Sequence, residues 1–390
     1  MYLSTSEVCA ALAVSDLSHH QPTSPSEPAH ALALLLEEVI AAATERGHLP
    51  HRVERSSPLV AVADNYDALG FDRDAVTRDR RYSHYVSPTV MLRSHTSAGM
   101  PALLRALGSG AAGDGARVGD AVHDEVLILP GVVHRRDQID RTHAASPHQV
   151  DVWRVSAAAG PTGRRTVDEL LELVDRLVAA ALPGARWREV EAEHPYTVHV
   201  RQIDVEVEGE WLELAECGLI DPALLQRCGL DSRRWSGLAL GLGLDRALML
   251  RKGIRDIRLL RSSDARAVEQ LHDLSPWRPI SAMPSISRDL SIVIDEQDDD
   301  ETLGDRVRRA LGATADDLES VAVVARTPAN ALPESARARL GIAHGQVNAL
   351  LRIVLRPIER TLTDVEANAL RDRVYRAVHR GPVLELISLD

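Results

Sequence analysis

The sequence predicts an α+β fold: a mostly antiparallel sheet with helices packed on it, followed by a smaller domain of order βαββαβ. Three observations carry that expectation. From residue 125 to residue 214, apolar and polar residues alternate in paired runs joined by polar turns, the pattern of antiparallel strands. Two stretches, Ala29 to Arg46 ahead of it and Thr166 to Leu182 within it, instead space apolar residues three and four apart, as in a helix. Beyond the Pro-rich joint Ser275-Pro276-Trp277-Arg278-Pro279, residues 283–390 read strand, helix, strand, strand, helix, strand.

Taken in order, residues 1–50 form an N-terminal extension expected to be partly mobile, with Gln21 to Pro28 rich in Pro, Ser and Thr. Its one expected helix places Leu32, Leu35, Leu36, Val39 and Ile40 on one side and stops at Gly47. Residues 51–274 make the first globular domain and 275–282 the linker. Val90-Met91-Leu92 leads into Arg93-Ser94-His95-Thr96-Ser97, polar groups placed either to cap the helix that follows or to bind a ligand. Glu125 to His134 and His148 to Val155 read as a hairpin around the charged loop Arg135 to His143, with Gln149 and Asp151 on one face. In the helix at 166–182, Val167, Leu170, Leu171, Val174, Leu177 and Val178 form the apolar stripe, and Pro183-Gly184 ends it. A meander follows through Ile203, Val205 and Val207 to Trp211-Leu212-Glu213-Leu214. In the tail domain, expected strands at 290–294, 318–325, 349–355 and 383–387 surround helices at 303–311 and 364–378; Thr363 and Glu366 form a capping box for the second.

The stretch Gly237-Leu238-Ala239-Leu240-Gly241-Leu242-Gly243-Leu244-Asp245-Arg246 reads as a glycine-interrupted strand running straight into a helix. Alternate glycines bare one face for another backbone or a flat ligand. Arg246 falls in the first turn of the helix, where the dipole favours acids, so an anionic ligand explains it better than the helix does. A buried core strand with a surface arginine is the plainer alternative.

Composition narrows the function classes. The 390 residues carry 45 basic and 57 acidic side chains, a net charge of −12, which argues against indiscriminate nucleic-acid binding but permits a local basic surface. Lys252 is the only lysine, so arginine usage reflects a general bias. Cys9, Cys217 and Cys228 lack metal-ligand spacing. With no basic-then-apolar leader and no run long enough to span a bilayer, the expectation is a cytoplasmic protein without a membrane partner.

Three segments then coincide: Leu92-Arg93-Ser94-His95-Thr96-Ser97; Arg135-Arg136-Asp137-Gln138-Ile139-Asp140 with His148-Gln149-Val150-Asp151; and Gly241-Leu242-Gly243-Leu244-Asp245-Arg246. Together they resemble the catalytic domain of phenylalanyl-tRNA synthetases, the second and third segments looking like class II motifs 2 and 3. Arg288-Asp289-Leu290-Ser291 and Glu359 to Asp364 are similar to that family's ferredoxin-like anticodon-binding domain, here at 283–390. A catalytic domain followed directly by such a domain resembles the single-chain, organellar-type enzyme.

The resemblance implies ATP and Mg²⁺ as cofactors, an aromatic amino acid as substrate, and tRNA as partner, its anticodon region on 283–390 and its acceptor end on the catalytic domain. It implies that Arg135 contacts the α-phosphate and Arg246 the terminal phosphates, both catalytic. Asp137, His143 and Gly243 complete the nucleotide site, and Glu213 positions Mg²⁺ or a water. His95, Ser97, Gln149, Asp151, His194, Tyr196, Ala239 and Gly241 match positions that hold the amino acid.

The amino-acid end departs from the family. Asp151 stands where a Glu is usual, one methylene shorter. His194-Pro195-Tyr196 replaces a Phe-Pro-Phe segment, Pro147 an aromatic residue, and Glu216 a small residue before Cys217. His and Tyr still stack but bring polar groups that need partners, favouring a more polar aromatic substrate. Against a phenylalanine–tRNA ligase-like enzyme stand two alternatives: a paralogue activating a different amino acid for a non-tRNA acceptor, and a non-catalytic RNA-binding paralogue. Arg352, Arg356, Arg360, Arg371, Arg373 and Arg376 are the tail groups expected to meet tRNA phosphates, in a salt-sensitive contact.

Overall fold

The structure, a computed structural model, describes residues 2–19, 28–109, 123–136, 140, 141, 143, 144, 146–157, 164–279, 284–357 and 360–384. The chain divides into two units. The first takes the chain to Arg135, Ser146–Ile254 and Glu269–Trp277; the second takes Arg136–Ala145, Arg255–Val268 and the chain from Arg278 on.

In the first unit, α1 (Thr5–Leu12) and α2 (Ala31–Ala43) precede β1 (His51–Val53), β2 (Leu59–Ala61) and β3 (Val90–Leu92). Then come α3 (Met100–Ser109), β4 (His123–Val132), β5 (His148–Ala157), α4 (Val167–Ala181), β6 (Trp187–Glu191), β7 (Thr197–Val207) and β8 (Glu210–Ile220). The unit closes on α5 (Pro222–Arg227), β9 (Trp235–Gly243) and α6 (Leu244–Lys252). Among the described residues, 1–50 thus hold two helices rather than the one that periodicity gave. The missed helix, α1, buries no residue and is held by a Ser4–Glu7 capping box, so it has no apolar stripe to detect. The mobile stretch expected from Gln21 lies outside the described residues up to Pro28.

Seven strands form one sheet in the order β1-β4-β5-β9-β8-β7-β6, with β1 and β4 parallel and every other pair antiparallel. Its faces have opposite chemistry because β9 alternates glycine or alanine with leucine. Leu238, Leu240 and Leu242 turn to the helices α2, α4 and α6, where Leu32, Leu35, Leu36, Leu170 and Val174 are buried. Ala239, Gly241 and Gly243 turn to the other face, which α3 and α5 cover only at one end through Met100, Leu104, Leu224 and Leu225. The remaining part of that face is where the sequence-marked polar residues collect.

Between the units of β structure, α7 (Ala265–Gln270) leads towards the joint at Ser275. Lys252 anchors that joint: fully buried, its ammonium donates to the Asp273 carbonyl at 2.8 Å and the Ser275 carbonyl at 2.7 Å. In the second unit, β10 (Ile286–Asp295), α8 (Asp300–Leu311), β11 (Leu318–Pro328), α9 (Glu334–Leu340), β12 (Gln346–Leu355) and α10 (Asp364–Val378) build a sheet of order β10-β12-β11, all antiparallel. Leu290, Ile292, Leu351 and Ile353 pack with Leu303 and Val307 of α8 and Leu370 and Val374 of α10. The strand expected at 383–387 lies mostly outside the described residues; Val383 and Leu384 are not in a strand.

Candidate active site

The glycines of β9 divide by what surrounds them. A Cβ at Gly237 would meet Ile220 Cδ1 at 2.4 Å and the Arg154 carbonyl at 2.5 Å, so that glycine serves close packing. At Gly241 the nearest atom would be Asp151 Oδ1 at 3.5 Å, and at Gly243 Arg246 Cβ at 3.9 Å. The strand is therefore core at its start and an open floor at its end. Strand register sets Asp151 of β5 opposite Gly241, and Gly241 opposite Glu216 of β8. Gln149 lies opposite Gly243, and Trp153 opposite Ala239. Residues opposite one another across a ladder share a face, so these side chains line one surface.

Asp151 is 5% exposed and collects three donors. Thr96 Oγ1 donates to Oδ2, Ser97 Oγ to Oδ1 at 2.9 Å, and Trp153 Nε1 to Oδ1 at 3.4 Å. Thr96 and Ser97 open a 3-10 turn, Thr96–Gly99, whose first residues make no side-chain cap. The hydroxyls bond a carboxylate across the sheet rather than capping the turn. Burial pushes the Asp151 carboxyl above its usual range, opposed by the bonds from Thr96 and Ser97.

An aromatic wall stands beside this group. The Tyr196 hydroxyl lies 2.7 Å from Ser97 Oγ, and its ring stacks on Trp153 with centroids 5.5 Å apart. His194 meets Tyr196 edge-on at 3.9 Å, and Phe71 stacks on His95 at 5.6 Å. Burial, and then the charge of Asp151, hold the Tyr196 phenol well above its ordinary value. His194 is pushed down to about 4 by burial. His95 is pushed down to about 3 by burial, then by His194 and Arg135; both its ring nitrogens are shielded and make no hydrogen bond of normal geometry among the described residues.

At the open end of β9, Arg246 is half-buried and its guanidinium donates to the Glu213 carbonyl at 3.1 Å. Arg135 forms a bridge to Ser83, and its charge is felt by both His95 and Glu216. Glu213 and Glu216 would face opposite ways in a regular strand. A bulge in β8 pairs Glu216 with Gln202 and Glu213 with Asp204, two apart on β7, so both carboxylates reach the glycine face. Burial and then Glu213 push the Glu216 carboxyl up, against the pull of Arg135. Beneath Arg246, Asp245 accepts the backbone N–H of His148 and lies 3.2 Å from its Nδ1. His148 Nε2 in turn accepts from the backbone N–H of Leu17 at 3.0 Å. His143 belongs to the second unit, with Nδ1 2.7 Å from Asp140 Oδ2. Asp137 lies outside the described residues.

A family model described as tRNA synthetases class II core domain (F) matches residues 16–271, well over half of the chain. The chain belongs to the class II aminoacyl-tRNA synthetases.

Among curated relatives, the phenylalanine–tRNA ligase alpha subunit of Prochlorococcus marinus (strain MIT 9313) is 33% identical over 57% of this chain and 60% of its own length. The Arabidopsis thaliana chloroplastic/mitochondrial phenylalanine–tRNA ligase is 28% identical over 86% of this chain and 72% of its own. The chain spans about 60% of the length of the first of these relatives. A solved pyrrolysyl-tRNA synthetase from Desulfitobacterium hafniense aligns over 62% of this chain and 76% of its own, with 17% identity and a TM-score of 0.45.

Within this class II core, the geometry brings Ser97, Asp151, Tyr196, His194, Ala239 and Gly241 together, with Gln149 and His95 beside them. Class II membership implies ATP- and Mg²⁺-dependent chemistry in general. The described residues contain no group of three or more His, Cys, Asp or Glu placed to hold a metal ion. Glu213 therefore fits a magnesium ion only as one that phosphate oxygens would complete. Three contributors were not among the expected site residues. Thr96 was visible as one of a polar run, and Trp153 as the same-face neighbour of Asp151. Phe71 carried no signal, because its partner His95 is distant in the chain.

Proposed function

We propose that the chain activates an amino acid with ATP and transfers it to tRNA, as a phenylalanine–tRNA ligase-like enzyme. The observation that carries this reading is the shared face of β5, β9 and β8. There a carboxylate cluster for an ammonium group and an aromatic wall adjoin a glycine floor ending at Arg246. In the first step, an amino-acid carboxylate oxygen attacks the α-phosphorus; the bond to the β-phosphate oxygen breaks and pyrophosphate leaves. In the second, a ribose hydroxyl of tRNA attacks the adenylate carbonyl and AMP leaves. Charge builds on oxygens in both, so arginines fixed in advance supply the help. Arg135 serves the α-phosphate and Arg246 the terminal phosphates. Glu213 would hold Mg²⁺, which when bound would supply positive charge to the leaving group.

The three-strand sheet β10-β12-β11 with α8 and α10 supports reading the second unit as a ferredoxin-like anticodon-binding domain. Its arginines are not idle: Arg352 pairs with Asp289, Arg356 with Glu319, Arg360 with Asp317 and Glu366, and Arg371 with Asp372. A phosphate contact there exchanges with an existing ion pair, which makes it weaker than a contact to an unpaired arginine.

The amino acid remains an aromatic one. The hydrogen bond between Tyr196 and Ser97 consumes the polar tip that the Phe-to-Tyr change introduced, which favours an unsubstituted or modestly polar ring over a strongly polar one. Charging of total tRNA, with a panel of aromatic amino acids, tests this reading. Charged tRNA with phenylalanine or a close analogue is expected; adenylate formation without charged tRNA favours a non-tRNA acceptor, and charging by none removes the ligase reading.

A further inference from the structure

We propose that Glu216, not Asp151, receives the α-ammonium group of the amino acid. The inference rests on the amino-acid-activating reading and refines one end of that site.

Asp151 is poorly placed for the task. It is one methylene shorter than the family's Glu, and Thr96, Ser97 and Trp153 already direct three donors at its two oxygens. A carboxylate accepts about four hydrogen bonds in all, so little capacity is left. At 5% exposure it is also largely closed off from solvent.

Glu216 has the opposite character. It is half-buried and makes no hydrogen bond or ion pair among the described residues. It stands in the same row as Asp151, two strands away across Gly241, or roughly 10 Å between backbones at ordinary strand spacing. Gly241 puts no side chain between them. Both carboxylates therefore stand in one row over the bare floor at Gly241. Gln149, opposite Gly243, offers a neutral acceptor on the same face.

The chemistry of the first step adds an independent constraint. The ammonium nitrogen and the attacking carboxylate are attached to the same carbon, so the ammonium site must adjoin the cation that holds the α-phosphate. Glu216 feels the charge of Arg135, whereas burial and then the donors Thr96, Ser97 and Trp153 are the main influences on Asp151. Glu216, coupled to that cation, is the carboxylate that fits.

The test is equilibrium binding to the full chain, without ATP, of phenylalanine and of 3-phenylpropionate, which lacks only the amino group. Wild type and Glu216→Gln are compared, with thermal melting as the control for folding. Expected is a loss of roughly tenfold or more in phenylalanine affinity in E216Q, with 3-phenylpropionate unchanged. Equal weakening of both ligands, unchanged affinity for phenylalanine, or no phenylalanine binding by the wild type would each overturn the assignment. Binding that behaves as expected in a protein that forms no adenylate would keep the assignment and remove the activating function.

Discussion

Ser97 Oγ donates to Asp151 Oδ1 at 2.9 Å across an element boundary that no local pattern connects. With Thr96 and Trp153 it makes the carboxylate a structural acceptor as much as a binding group. Replacing it by an amide, Asp151→Asn, turns one acceptor oxygen into a donor facing donors. The expected cost is about 1–3 kcal/mol, read as a lowered Tm. An unchanged Tm would mean that water, not these hydroxyls, satisfies the group.

Gly237 and Gly241 occupy the same strand face yet should respond differently to alanine. Gly237→Ala drives a methyl into Ile220 and the Arg154 carbonyl and is expected to destabilise by about 1–3 kcal/mol or more. Gly241→Ala has room and should melt near wild type, while weakening amino-acid binding by narrowing the floor. Equal effects of the two on Tm would contradict the division of β9 into core and site.

His148 joins the N-terminal segment to the site. Its bonds require a proton on Nδ1, facing Asp245, and a bare Nε2 accepting from Leu17. Arg55 holds the same segment, through Asp16 at 3.0 Å and the Ser18 carbonyl at 2.9 Å. His148→Phe should expose residues around 13–19 to limited proteolysis before the rest of the chain is cut. A cleavage pattern identical to wild type would show that Arg55 alone suffices.

His95, His134 and His194 have folded values lowered from the ordinary 6.5 to about 3, about 4 and about 4, chiefly by burial. The unfolded chain then binds more protons below 6.5, so stability is complete above that pH and is lost as pH falls towards 4. The raised carboxyls of Asp151 and Glu216 act in the opposite sense, adding stability as pH falls through their folded values. His194→Phe removes one titrating group. Its Tm should fall less than that of wild type between about pH 7 and about pH 5. An equal fall would place the protonation elsewhere.

Much of this arrangement was legible in the chain. The β9–α6 junction reads directly, because glycines at alternate positions and an arginine in a first helical turn are local signals. Gln149 and Asp151 share a face by simple alternation. What could not be read depends on register and distance. Glu213 joins Glu216 on one face only through a bulge, and alternation alone separates them. The docking of Leu17 on His148 involves a short polar segment without periodicity. The aromatic contact of Phe71 with His95 and the capture of Thr96 and Ser97 by Asp151 arise from tertiary packing.

Amino-acid-dependent ATP–pyrophosphate exchange, compared between wild type and Arg246→Ala, tests the central claim most directly. Arg246 is half-buried at the open end of β9, so its loss should leave Tm nearly unchanged. Exchange in the wild type with an aromatic amino acid, reduced about 10²–10³-fold in R246A, is the predicted result. Wild-type exchange with none of the amino acids, or exchange that R246A leaves intact, would contradict the account.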